Sequence, residues 1–299
     1  MAVNYEYYRC FYYVAKYKNL TRAASAMMSS QPNVTRVMNN LEHELGCRLI
    51  TRSNRGIALT EEGERLYQHV AVAFEHLQMG EELLTHTGPQ AGSVYIGASE
   101  AALHGLLLDV LRRFHQLYPA VRLKIRNDTA LRVLQALRSG QVDFAVVAMP
   151  EGPLERPFKR TDLKPFRDVL AGGPLFAELA GQTLCLADLK RYPLISLARD
   201  TATFAFYSGI YTEHGLDFDP DMEVATTDLL LPMIENDLGL GFVPEEFARE
   251  ALAGKRIVQM KLRETIPERR ICLVQDTRSS LSPAARALRR MLQAGTAEQ

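Results

Sequence analysis

Apolar and polar positions follow two rhythms along this chain, and the change of rhythm divides it. Over residues 5–18, Tyr8, Phe11, Tyr12 and Ala15 recur at helical spacing, which predicts a first helix with one buried face. Residues 21–45 read as two more short helices joined by a tight turn. In the second of these, Val34, Val37 or Met38, Leu41 and Leu45 follow the i, i+3/i+4, i+7 spacing of a buried stripe. Ser30 suits its N-cap, and Pro32 suits the first turn, where a missing N–H costs little. Gly46 is a helix stop. Two β-prone runs, 47–51 and 57–60, then flank the turn Arg52-Ser53-Asn54-Arg55-Gly56, which predicts a hairpin. From 61 to about 87 one long helix is expected. Leu59, Leu66, Val70, Ala73, Leu77, Gly80 and Leu84 mark a coiled-coil-like seam along it. A lone helix would leave that seam wet. A second copy is the economical partner, and packing on the chain's own C-terminal domain is the alternative.

After a hinge at 87–92 the rhythm becomes strand, helix, strand. Strands at 93–98, 121–126 and 144–148 alternate with helices at 103–117 and 130–140, a pattern that predicts parallel βαβ units. A second lobe is expected over 161–267, with strands near 168–172, 183–186, 194–197, 223–226 and 240–243. A strand at 271–274 and a helix at 283–293 return to the first lobe. Two lobes joined by two crossings make a cleft at the C-terminal ends of their strands.

Composition changes this picture in one respect. The chain has 299 residues and balanced charge, 35 basic against 35 acidic. The balance is not even: residues 1–60 carry eight Lys and Arg against three acids, and residues 61–90 carry one Arg against six Glu. A basic lobe inside a neutral protein points to nucleic acid at that end only. The exposed face of the second short helix carries Gln31, Asn33, Thr35, Arg36, Asn39, Asn40 and His43. Arg, Asn and Gln are the side chains that bond bidentately to base edges in a major groove. That makes residues 21–45 a helix-turn-helix with a reading helix, and the hairpin a wing whose Arg52 and Arg55 suit phosphates or a minor groove. An ordinary surface helical hairpin is the plainer alternative.

The ordered set Thr21-Arg22-Ala23-Ala24, Ser30-Gln31-Pro32, Leu41-Glu42-x-Glu44-Leu45-Gly46, Arg52-x-x-Arg55 and Leu59-Thr60-x-x-Gly63 resembles the DNA-binding half of the LysR-type transcriptional regulators. Ile50 and Glu62 depart from the family pattern, off the reading helix. Later matches include Ser93 to Ser99, Tyr118-Pro119, Gly140 to Val146, Gly239 to Glu245 and Leu281 to Ala285. The segment 173–181 lacks the family's frequent His-Pro-Leu. The resemblance implies an α/β chain in three parts. A winged helix-turn-helix spans 1–60 and a linker and dimerisation helix with hinge spans 61–90. A two-lobe effector domain like the type 2 periplasmic binding proteins spans 91–299, with lobe I at 91–160 plus 268–299 and lobe II at 161–267. It also implies that Thr21, Arg22 and Pro32 join the DNA-contacting set, that the chain forms a homodimer or tetramer on two promoter half-sites, and that it needs no cofactor.

The candidate effector residues follow from position. Ser99, Glu100, Asn127, Thr129 and Met149 end strands or start helices in lobe I, and Ser196, Thr201, Thr203, Thr226 and Thr227 do so in lobe II. No Arg or Lys falls at the clearest of these positions, so a small anionic effector is expected to rely on hydroxyls and helix N-termini. Glu100 is the exception, suited to an amine or to water. Capping alone explains any one hydroxyl. No His pair, nucleophile motif, dinucleotide loop or P-loop points to catalysis. Cys10, Cys47, Cys185 and Cys272 lack metal-ligand spacing and suit buried reduced thiols, with a redox pair of Cys185 and Cys272 as the alternative. With neither a signal-peptide pattern nor a membrane-length apolar run, a cytoplasmic protein is expected. A transport binding protein or a small-molecule enzyme on the same two-lobe fold would lack a reason to carry residues 1–60.

Overall fold

The computed structural model describes residues 3–53, 56–85, 88–149, 152 and 154–294. The chain forms two compact units, Met1–Leu84 and Thr85–Gln299. The first opens with α1 (Tyr5–Tyr17), α2 (Leu20–Ala26) and α3 (Gln31–Leu45). Asn4 starts α1 by accepting a hydrogen bond from the Glu6 N–H. Gly46, at φ 69°, ends α3 in the left-handed conformation that glycine adopts at little cost. The hairpin β1 (Ile50–Ser53) and β2 (Gly56–Leu59) pairs Ile50 with Leu59, and α4 (Glu61–Thr85) follows.

The core of this unit joins Phe11, Val14, Ala23, Ala24, Val34, Met38, Leu41 and Leu49 to Val70 and Phe74 of α4. The Tyr12 ring lies 4.3 Å from Phe74, centroid to centroid. The aromatic face of α1 is therefore core. The long-helix seam splits: Val70 is buried in this core with Leu59 and Leu66 packed beside it, whereas Ala73 is exposed and Leu77 and Leu84 are 48% and 86% exposed. The expected continuous stripe is thus used twice, for the unit's own core near the wing and for a bare surface beyond it.

The second unit runs β3 (Ser93–Ala98), α5 (Glu100–Ala102), a wide turn Leu103–Leu107, α6 (Leu108–Leu117), β4 (Arg122–Asn127), α7 (Ala130–Arg138), β5 (Phe144–Met149) and β6 (Phe158–Phe166). It continues with β7 (Asp168–Gly172), β8 (Thr183–Leu184), β9 (Leu194–Leu197), α8 (Ala202–Glu213), β10 (Met222–Val224), α9 (Thr227–Glu235) and β11 (Leu240–Pro244). It closes with α10 (Glu245–Ala253), β12 (Val258–Gln259), β13 (Lys261–Leu262), β14 (Arg269–Asp276) and α11 (Pro283–Ala294). One five-stranded sheet has the order β4-β3-β5-β14-β6 and a second the order β10-β9-β11-β7-β12, with β13 and β8 paired in a small parallel sheet of their own. The sheets are mixed, not purely parallel: β14 runs antiparallel to β5 and β6, and β7 antiparallel to β11.

Strand β6 was not expected. It extends the first lobe to Phe166, past the boundary at 160, because it pairs along all of β14. Its sequence FKRTDLKPF is rich in charge, as edge strands tend to be, and buries chiefly Leu163 and Phe166. The chain then crosses at Arg167 into β7 and returns through 263–268 into β14. The two crossings are pinned to each other. Arg269, first residue of β14, donates to the Asp168 carboxylate, first residue of β7, at 2.5 Å, with both side chains buried. The Tyr207 hydroxyl donates to the same carboxylate oxygen at 2.6 Å. Arg269 also donates to Thr203 Oγ1 at 2.9 Å and lies against the rings of Phe166 and Phe206.

Removing one partner of such a pair strands the other as a buried uncompensated charge. Asp168→Ala is expected to lower unfolding stability by about 3–5 kcal/mol in urea or guanidinium titration of the second unit's transition. A loss below ~1 kcal/mol would show that the pair does not hold the crossings together.

Candidate functional site

In the first unit the side chains that build α3 also decide which face it offers. Ser30 accepts from the Asn33 N–H at 3.4 Å, and Val34, Met38 and Leu41 turn inward. That leaves Gln31, Pro32, Asn33, Arg36 and Asn39 exposed on the opposite side, with Thr35 half-buried beside them. Thr21 and Arg22 are exposed on α2, whose N-terminus is capped by Asn19. Arg36 donates to Asn33 Oδ1 at 2.9 Å, so a guanidinium and an amide stand side by side. Asn40 turns toward α1 and donates to the Tyr7 hydroxyl at 3.3 Å. Arg55 lies outside the described residues, as does Asn54 before it, while Arg52 lies on β1 opposite Ile57.

One expected core position is corrected. Leu45 is 37% exposed, and Glu42 takes the inward place in that turn. Its Oε1 accepts from the N–H groups of Leu49 and Ile50 at 2.7 and 3.1 Å, and Oε2 accepts from Arg48 at 3.2 Å. These bonds fasten the end of α3 to the start of the wing. Gly63 completes the joint: a Cβ there would meet the Leu49 carbonyl oxygen at 2.1 Å, so no larger residue fits.

The second unit holds a cavity of about 340 Å³ between its lobes. Ser99, Glu100, Asn127, Thr129, Thr201, Thr203, Thr226 and Thr227 all line it. Ser196 lines a smaller adjoining cavity together with Thr203, Tyr207, Thr227 and Arg269. Met149 lines neither, because successive side chains of β5 point to opposite faces and it is Ala148 that faces the cavity. The N-cap residues of α5, α7, α8 and α9 are Ser99, Thr129, Thr201 and Thr226, so four helix N-termini open on one space.

Several of these hydroxyls are already committed. Ser99 Oγ accepts from the Ala148 N–H at 2.9 Å, and Thr201 Oγ1 accepts from the Phe204 N–H at 3.1 Å. Thr129 Oγ1 accepts from the Arg132 N–H at 3.4 Å. Thr226 makes no capping bond. None of the named cleft positions is an Arg or Lys, but a neighbouring cation enters the lining. Arg132 lines the cleft, 3.8 Å from Asp128 of its own lobe and 3.6 Å from Asp200 of the other. The pairings of Arg132 with Asp200 and of Arg269 with Asp168 join residues far apart in the chain and leave no periodic trace, so sequence reasoning does not find them. Glu100 does face the other lobe, and its Oε2 accepts from the N–H groups of Thr227 and Asp228 at 2.5 and 3.4 Å.

All four cysteines are free thiols. Burial pushes Cys10 up to about 11 and Cys272 up to about 12, the latter helped by its bond to Asp162, so both are protonated near neutrality. Cys185 and Cys272 belong to different lobes. Among the described residues no His, Cys, Asp and Glu cluster could hold a metal, and no helix is long and apolar enough to cross a membrane.

A winged helix-turn-helix unit followed by a two-lobed α/β unit with an interlobe cavity defines a ligand-responsive DNA-binding protein. The family model for the LysR substrate binding domain matches residues 87–297, and that for the bacterial regulatory helix-turn-helix protein, lysR family, matches residues 5–64. This chain belongs to the LysR family of transcriptional regulators. It is 26% identical to the RuBisCO operon transcriptional regulator of Allochromatium vinosum, over 97% of this chain and 95% of that one. It is 36% identical to the HTH-type transcriptional regulator BudR of Raoultella terrigena over 149 residues, a match covering 48% of this chain and half of that protein's length. Its fold is similar to that of full-length CbnR complexed with its target DNA, with TM-score 0.70 at 19% identity over 99% of each chain.

The Glu42 joint yields a test within the first unit. Glu42→Ala leaves the Leu49 and Ile50 amides without their acceptor, at about 1–3 kcal/mol each where water cannot replace it. Thermal unfolding is expected to show a clear loss, with Glu42→Gln intermediate. Equal stability of Glu42→Ala and wild type would mean that the wing is held by packing alone.

Proposed function

We propose that this regulator reads two promoter half-sites as a homodimer or tetramer through Gln31, Asn33, Thr35, Arg36 and Asn39 of α3. Thr21, Arg22 and Pro32 support that face, and Arg52 and Arg55 of the wing hold phosphates. The exposed Leu77 and Leu84 on α4 support pairing of that helix with a second copy. Its work is binding rather than catalysis, and it takes place in the cytoplasm, where promoter DNA is.

The cleft takes a small anionic metabolite, and the division of the chain into reading domain, linker helix and two-lobe effector domain lets that ligand alter the spacing or bend of bound DNA. The observation that carries the ligand reading is the convergence of four helix N-termini on one cavity. The N-termini of α7, α8 and α9 each bring a partial positive charge of roughly half a unit. Glu100 does not compete for an amine, since its carboxylate already accepts from backbone amides. Arg132 adds a cation at the rim.

Arg36→Ala is expected to lose about 1–3 kcal/mol at the cognate site and to relax base preference there. Arg55→Ala is expected to weaken all DNA alike and to flatten the salt dependence by about one unit. Quantitative gel shifts on cognate and scrambled duplexes distinguish the two. An unchanged base preference in Arg36→Ala would remove α3 from the reading role.

For the cleft, calorimetry with matched pairs of small carboxylates and amines is the deciding measurement. Carboxylates are expected to bind and their amine counterparts not to. Binding of amines alone overturns the anionic reading.

A further inference from the structure

The lobes are joined across the cavity by polar contacts as well as by the crossings. Glu100, on α5 of the first lobe, accepts from the first two amides of α9 in the second. One turn further, His104 Nε2 lies 3.4 Å from Asp228 Oδ1. Arg132 reaches Asp200 at 3.6 Å, and Lys164 of β6 binds Glu246 of α10 and the Gly105 carbonyl. The Glu100 contact differs in kind from the other three. Thr226, the N-cap residue of α9, makes no capping bond of its own. The cap of a second-lobe helix is therefore supplied by a carboxylate of the first lobe.

We propose that Glu100 is an internal latch, joining the lobes by capping α9 from the opposite lobe, and that an anionic effector acts by displacing it. The displacement half rests on the anionic reading of the cleft; the latch half does not. Glu100 and Thr227 both line the main cavity, so an entering anion stands beside the Glu100 carboxylate and near the amides that hold it. Like charges so placed disfavour each other, and the partly enclosed site screens them less than bulk water does. Effector binding and latch closure are then coupled with opposite sign, and the coupling is reciprocal: whatever weakens the latch strengthens the anion. The same exchange gives the effector its leverage. It binds the unlatched arrangement better than the latched one, and only such a difference can shift the conformation.

The test uses the full-length protein and the Glu100→Gln variant, which keeps size and polarity and removes the charge. Hydrogen exchange of ligand-free protein is read over 222–230. The Thr227 and Asp228 amides are expected to exchange about three- to thirtyfold faster in the variant, the range that loss of a helix cap produces. The same carboxylates that bind wild type in calorimetry are expected to bind Glu100→Gln more tightly by a comparable factor. Unchanged exchange in both Glu100→Gln and Glu100→Ala overturns the latch, whether or not acids bind. Faster exchange with weaker acid binding overturns displacement and makes Glu100 a ligand contact. If acids bind neither protein, the anionic reading falls, and the exchange result still decides the latch by itself.

Discussion

The second unit depends on a buried ion pair at the place where the chain changes lobes. A cleft between two lobes needs its two connections to act as one hinge, and here the first residue of β7 is bonded to the first residue of β14. Burying both charges is expensive, and the attraction between them repays that cost only when other groups share the load. The sharing is visible. Tyr207 gives the carboxylate a second donor, Thr203 gives the guanidinium a second acceptor, and the faces of Phe166 and Phe206 cover its flat sides. Burial and the neighbouring Asp168 keep the Tyr207 phenol well above its ordinary range, so it remains a donor across the physiological span. Because Thr203 lies in the first turn of α8, the hinge also fixes one of the four helix N-termini that face the cavity.

That anchoring gives the cavity its electrostatic character. Four helix N-termini bring partial positive charge, and Glu100, Asp128 and Asp200 bring three carboxylates, with Arg132 between two of them. The cleft's own charges are thus largely balanced. An external anion gains most where a carboxylate can be exchanged, and least where one is locked to a neighbour in its own lobe. Asp128 is of the locked kind, with its bond to the Thr129 N–H at 2.8 Å.

Much of this was legible in the sequence, for identifiable reasons. Strands at 168–172 and 194–197 were placed to the residue because each is a nearly unbroken apolar run bounded by breakers, the pattern of a buried strand. The cleft's N-caps were legible because Ser or Thr before a helical pattern has a local cause. The edge strand β6 is not, because its pairing partner β14 lies far along the chain and its own charged sequence shows no alternation of buried and exposed positions. Met149 was misjudged by one position, and in a strand one position reverses the face. On α3 the rhythm named Leu45 as core, but the neighbouring wing offered two unpaired amides, and satisfying them with Glu42 outweighed burying one more leucine.

Glu42 belongs to a wider habit of this chain. Asp143 accepts from the Tyr95 amide, Asp221 from Leu194, Asp237 from Leu175 and Glu264 from Leu186, each joining segments far apart in sequence. Acids used as backbone acceptors serve the fold rather than a ligand. What such a bond does depends on where it sits. Glu42 is sealed within one core, where water cannot replace it and rupture means local unfolding. Glu100 is only half-buried, spans two bodies joined at a hinge, and borders a cavity large enough for a small molecule. The same chemistry is permanent in the first setting and exchangeable in the second, and exchange is what a ligand-driven change of shape requires.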